Sequence, residues 1–280
     1  MDKNHGPLQT HCLNCGASVK GAFCHQCGQR IRDNSDRSLR RLLGEVLGNI
    51  FFFDNRFFIS VWYLIRFPGR MTVEFLEGKR KKFISPVTLF LFLNLIYFFV
   101  NPLSDYSLPL TDQFYSQPYS QWIQEMVVQK LTQEELDGEA YAITYQNASD
   151  NISKSIMIIN VPLIAGFIFL MAFKRRPFFF DSLIFAFHFF TLFLLSWILL
   201  DWAGRLIDLF SGHESSVVSA ISFNLFTLIL PLVYAILSTK RLMVIRWYWA
   251  IPAGLGVMVA VLLTNVFYRF IILMLTLWTT

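Results

Sequence analysis

Charge is what this sequence has least of. Of its 280 residues only 15% are Asp, Glu, Lys or Arg, against about 25% in an average soluble domain. A soluble chain of this length makes one or two domains, and one core could not hide a 55% hydrophobic share. The shortage excludes an ordinary cytosolic enzyme and a disordered chain. It points to a multi-pass membrane protein. Catalytic patterns are missing as well: there is no GxSxG, HExxH, Walker loop or GxGxxG. The first ten residues, Met1 to Thr10, hold no apolar run of the kind a secretory signal needs. The N-terminus is therefore expected in the cytosol. Cysteine is scarce too, with four in all, the last at position 27.

The few charges are sorted. Residues 1–82 carry 14 Lys/Arg against 7 Asp/Glu, and residues 102–155 carry 2 against 8. A net charge of +5 fits nucleic acid or an anionic membrane surface. Segregation of this kind favours the membrane, and no basic groove with a nucleic-acid motif accompanies it.

Apolar stretches run over residues 83–101, 156–173, 178–200, 217–237 and 247–268. Each approaches the roughly 20 residues a helix needs to cross the hydrocarbon core. The expected fold is an all-α integral membrane protein with about five transmembrane helices. Lys174, Arg175 and Arg176 follow the second stretch, and Lys240, Arg241 and Arg246 follow the fourth. The positive-inside rule puts both loops in the cytosol, giving N-terminus in and C-terminus out. A hairpin within 247–278 would return the C-terminus inside. The bilayer is thus the first expected partner.

Residues 36–82 form a basic juxtamembrane segment. Helices at about 38–53 and 56–67, lying in the interface, fit its short apolar runs, with Pro68-Gly69 ending the second. Residues 102–155 are too long for a plain loop and are expected to form an outer helical cap. Leu131–Tyr145 looks helical, with Thr132 and Glu135 at capping-box spacing.

All four cysteines fall within residues 1–35. Cys12-Leu-Asn-Cys15-Gly16 is followed by eight residues and then Cys24-His-Gln-Cys27-Gly28. Two residues between cysteines let one tight knuckle present both sulfurs to one metal. The following glycine tolerates positive φ. Two knuckles supply the closed tetrahedral set of a structural zinc site, with iron the less favoured ion and two disulfides or four free thiols the alternative. A cytosolic setting keeps thiols reduced. No coordination position is left for catalysis, so the reading leans away from an enzyme.

These pieces together resemble an uncharacterised bacterial membrane family, seen mainly in Bacteroidetes and proteobacteria. Its members pair an N-terminal zinc ribbon with a juxtamembrane stretch and several spans. The resemblance rests on the two knuckles with Phe23 and Gln29, then Asp54-x-Arg56, Pro68-Gly69, and Gly78-Lys79-Arg80-Lys81-Lys82-Phe83-x-x-Pro86. It implies a zinc ribbon and a membrane location, with no activity attached.

Other candidates are weaker. Arg40, Arg41, Lys79, Arg80, Lys81 and Lys82 are either topology determinants or contacts for anionic lipid or a partner. Asp54 and Arg56, two apart, mark a break between helices rather than one helix face. Intramembrane polar residues are functional candidates by default. His188 lies mid-span, Asp181 is seven residues earlier, and Asn224 lies in the fourth stretch. Their bland role is interhelical hydrogen bonding. The Phe-rich stripes read as lipid-facing surface.

Three function classes follow. The favoured one is a membrane anchor or adaptor whose ribbon recruits a cytosolic protein or assists assembly at a bacterial inner membrane. The second is a small-solute or ion transporter built around His188. The third, an intramembrane lipid-modifying enzyme, lacks a paired acid–base set. Oligomeric state is not readable from the sequence.

Overall fold

The computed structural model describes residues 10–19, 21–31, 55–100, 108–172, 178–211 and 228–280. Arg40, Arg41, Asp54, Asn224 and the expected helix at 38–53 lie outside these. The described residues are mostly helical: α1 Asn55–Arg66, α2 Arg70–Leu76, α3 Pro86–Val100, α4 Leu110–Ser116, α5 Ser120–Gln133, α6 Gly138–Ile156, a 3₁₀ turn Met157–Ile159, α7 Asn160–Ala172, α8 Phe179–Ser211, α9 Leu230–Met243 and α10 Trp247–Thr279. Two compact units divide the chain. One takes residues 1–101 and 165–258, the other residues 102–164 and 259–280.

In the first unit, α8 is the hub. It packs on α3 along much of its length and also touches α1, α2 and α9. Most of its phenylalanines go inward, against the lipid-facing expectation: Phe180, Phe185, Phe187, Phe189 and Phe190 are buried, while Phe210 near its C-terminal end is exposed. Phe90 of α3 meets Phe187 and Phe190 at 5.6 and 5.9 Å between ring centroids. A helix apolar all round is one that neighbours surround. The Phe179–Leu200 window is 78% buried, whereas the window in α10 is 33% buried. More of α10's apolar side chains therefore stand at the surface, Leu255, Val259, Leu262 and Phe267 among them.

Two described helices, Phe179–Leu200 and Trp247–Thr279, are long and apolar enough to cross a membrane. A third is added if Gly138–Ser153 and Met157–Ala172 form one broken span. The five expected spans are not all matched by length. The first becomes the 15-residue α3, which rises about 22 Å against a hydrocarbon core of about 30 Å. Residues 81–85 stay non-helical, and the helix begins only at Pro86, where proline's missing N–H costs nothing. The fourth is described only from residue 228. The last is one unbroken 33-residue helix with no hairpin.

Helices α1 and α2 are more than surface elements. Ser60 and Leu64 of α1, and Met71, Thr72, Glu74 and Phe75 of α2, are buried. Pro68-Gly69 does end α1. Gly69 has φ +75°, and a Cβ there would stand 2.6 Å from the Cα of Ser238 on α9. The turn is pinned further by Arg241, whose guanidinium donates to the Pro68 carbonyl (2.6 Å).

In the second unit, α4, α5 and α6 form a helical core with the C-terminal part of α10, built on Ile123, Val127, Tyr145 and Leu273. The cap is thus helical, but its break falls elsewhere than expected. Thr132 donates to the Val128 carbonyl within α5 (2.8 Å), and Glu135 sits at φ 51° beyond the helix end. The next helix starts at Gly138, where Asp137 accepts the Ala140 N–H (2.9 Å). A competing cap five residues on took the role given to Thr132.

Candidate metal centre and juxtamembrane dock

The cysteine module is two copies of one turn. Cys12 N–H donates to Ala17 O, and Gly16 N–H to Cys12 O, both at 2.8 Å. Twelve residues on, Cys24 N–H donates to Gln29 O (2.8 Å) and Gly28 N–H to Cys24 O (2.9 Å). Antiparallel bridges His11–Ser18 and Phe23–Arg30 clamp the two turns. Gly16 and Gly28 have φ of 78° and 66°, the region glycine enters without steric cost.

These turns bring the four sulfurs within 4.8 Å of one another. Cys12 and Cys27 stand 3.6 Å apart, and Cys15 and Cys24 3.5 Å. A disulfide needs about 2.05 Å. A tetrahedron with bonds of about 2.3 Å has edges near 3.8 Å. The set fits one metal ion such as zinc, and it excludes the two-disulfide alternative in this structure. The backbone N–H groups of Cys27 and then Gln26 hold the Cys24 thiol down to about 6, while the Cys15 thiol beside it is pushed up to about 12, so Cys24 is the member of the pair that gives up its proton first. His11 and His25 supply no ligand atom to the cluster.

The module is seated on the loop after α2. The Gln29 side-chain amide donates to the Gly78 carbonyl (2.8 Å), and its oxygen receives the Arg80 N–H (3.4 Å). Leu13 packs over Gly78, where a Cβ would meet it at 2.6 Å. Two of the motifs that carry the family resemblance, the knuckles and Gly78–Lys82, are therefore in direct contact. Gln29 belongs to the second knuckle motif, but nothing local to it reveals a partner 49 positions away.

The basic cluster does not act as one patch. Lys82 donates to Glu74 Oε2 (3.0 Å) and to the Tyr63 hydroxyl (2.8 Å), and it lies 4.0 Å from the Tyr63 ring centroid. Arg70 Nε donates to the other Glu74 oxygen (2.8 Å). Burial raises the Glu74 carboxyl, but the bonds from Lys82 and Arg70 outweigh it and hold it below the usual carboxylate range. Lys79 pairs with Glu77 (3.0 Å). The Arg80 guanidinium lies 4.8 Å from the Phe75 ring centroid. Lys81 stays exposed. Sequence reasoning missed Glu74 and Tyr63, although Arg70 and Glu74 stand at the helical ion-pair spacing of four.

The remaining candidates have separate places. Arg56 offers its carbonyl to Ser60 Oγ (2.7 Å), and Ser60 Oγ accepts the Ile84 N–H (3.0 Å), tying α1 to the approach to α3. Pro86 is the first residue of α3. Asp181 is buried in the first turn of α8, where a carboxylate complements the helix dipole. His188 is fully buried, and its Nδ1 shares a hydrogen bond with Thr72 of α2 (2.9 Å). Its Nε2 has no partner among the described residues.

No curated protein and no solved structure matches the chain. Residues 54–98, the segment from α1 through most of α3, match a protein family of unknown function, DUF3667.

Proposed function

We propose that the chain is a membrane anchor or adaptor of the bacterial inner membrane, whose cytosolic cysteine module recruits a protein partner. Cys12, Cys15, Cys24 and Cys27 would hold zinc, and the ion would supply structural cross-linking only. Four sulfurs close the shell and leave no position for a substrate. The observation that carries this reading is the Gln29 clamp on Gly78 and Arg80. It holds the module against the membrane-proximal segment and leaves Phe23 63% exposed. In this reading the chain crosses the membrane about five times, with the N-terminus inside and the C-terminus outside. The short α3 then spans with the help of flanking residues or local thinning.

Comparative co-purification tests the reading. Wild type and a Cys12→Ser/Cys15→Ser variant are solubilised, and bound proteins are identified. A specific cytosolic partner lost only from the variant supports the adaptor. Absence of any partner from both samples would contradict it. A second reading, transport around His188, has one observation in its favour: a buried histidine with Nε2 unengaged among the described residues. Substrate uptake abolished in His188→Ala, with expression intact, would transfer the weight to it.

A further inference from the structure

Helix α1 presents an exposed face with a graded composition. Phe58, Trp62 and Ile65 stand at i, i+4 and i+7, so they share one side of the helix. They are 64%, 60% and 48% exposed, while Ser60 and Leu64 on the other side are buried. The exposed side ends on Arg66, and Arg70 follows just after the Pro68-Gly69 turn.

The direction of the helix gives this gradient a meaning. Phe57 packs on Phe92, six residues inside α3 (4.9 Å), whereas Tyr63 packs on Phe83, before α3 begins (5.1 Å). Six residues of helix rise about 9 Å. From its N-terminus to its C-terminus, α1 therefore climbs back along the apolar α3 to its start. Phe57 and Phe58, which follow Asn55 and Arg56 at its start, lie beside apolar helix, and Arg66 at its other end lies where the basic loop enters.

The two arginines are brought together. Both guanidiniums lie on the Phe67 ring, at 5.7 and 5.5 Å from its centroid. Glu74 takes the Nε of Arg70 and so orients that side chain, which remains 52% exposed. Its terminal N–H groups, and those of Arg66, have no ion-pair partner among the described residues.

We propose that this face is a lipid-contact surface on which the Arg66–Arg70 pair receives the phosphate of an anionic phospholipid. Phe58, Trp62 and Ile65 enter the boundary with the acyl chains. Paired guanidiniums suit a phosphate better than a single ammonium does. Tryptophan is the side chain that favours the headgroup level. Charge complementarity and continuity with α3 argue for lipid rather than a protein helix as the occupant. The headgroup contact thus moves from the Lys79–Lys82 run, where Lys79 and Lys82 already hold carboxylates, to the turn before it. The inference rests on the membrane location proposed above and is independent of the role of the cysteine module.

Full-length protein in detergent is titrated with phosphatidylglycerol and with phosphatidylcholine, and retained lipid is counted by native mass spectrometry. Wild type is expected to prefer phosphatidylglycerol. Arg66→Gln should weaken that lipid about fivefold, and Arg66→Gln/Arg70→Gln about thirtyfold, on the contribution of one cation near a surface. Phosphatidylcholine binding should not change. Arg66→Gln removes no ion pair, so its thermal melt reports an intact fold, and Lys79→Gln serves as the control without effect. Unchanged phosphatidylglycerol binding in Arg66→Gln would overturn the proposal. So would equal retention of the two lipids, or displacement of bound lipid by millimolar inorganic phosphate. Failure of wild type to reconstitute into pure phosphatidylcholine bilayers would overturn the membrane location itself. Loss of lipid preference with reconstitution intact overturns this inference alone.

Discussion

At the scale of single residues, buried contacts decide which motif positions tolerate change. Gly69 combines positive φ with a backbone 2.6 Å from where its Cβ would stand. Gly69→Ala is expected to destabilise by about 2 kcal/mol or more, since left-handed backbone alone costs roughly 1–2. Gly138→Ala, with nothing within 4 Å, is the matched control, and thermal melts in detergent distinguish the two. Glu74 makes a pH prediction. Its folded carboxyl lies below its ordinary value, so its stabilising pairing is complete above that ordinary value of about 4.3. The contribution is lost as pH falls through the lower, folded value. Wild type should melt above Glu74→Gln at neutral pH, and the gap should close on acidification below about pH 4. A gap that widens in acid would refute the assignment. Gly69 could be read from the sequence as a helix stop. Its close approach to Ser238 could not, because that neighbour is 169 positions away. Lys82 looked free for lipid because Glu74 and Tyr63 reach it only after the chain folds back.

At the scale of elements, the cysteine module was the most legible part, since its chemistry is local. The spacing of two residues, the glycine after each pair and the twelve-residue repeat all act within one turn. What was not legible is the dock. Gln29→Ala should leave metal binding intact but free the module from the loop, and hydrogen exchange at the Arg80 amide should rise. Unchanged exchange there would remove the clamp from the account. Helix α1 was legible in extent, with Pro68-Gly69 as its stop, but its burial was not. An apolar run that ends in arginines is compatible with an interface or a core, and contacts such as Ser60 with the Ile84 N–H and Phe57 with Phe92 show that one side faces protein. The cap helices carry a similar lesson. Thr132 and Glu135 had the right spacing for a cap, but Asp137-Gly138 offered a better N-cap immediately downstream.

At the scale of the whole molecule, the scarcity of charge correctly announced apolar helices, but not which ones are buried among neighbours. Composition could not separate α8, most of whose phenylalanines fill a protein core, from α10, which leaves large aliphatic residues exposed. Both are long and apolar, and only neighbours distinguish them. The proposed topology predicts that reporters fused after Thr280 are active outside the cell and that those placed at residues 174–176 are active inside. The opposite pattern at either site would revise the span count. The central claim is a closed four-sulfur metal centre on a membrane-embedded chain, and metal content tests it most directly. Full-length protein extracted from membranes should carry one zinc per chain, with all four thiols shielded from alkylation until a chelator is added. Cys24→Ser should lose the ion. Protein recovered from membranes with no bound metal and four freely alkylated thiols would contradict the account.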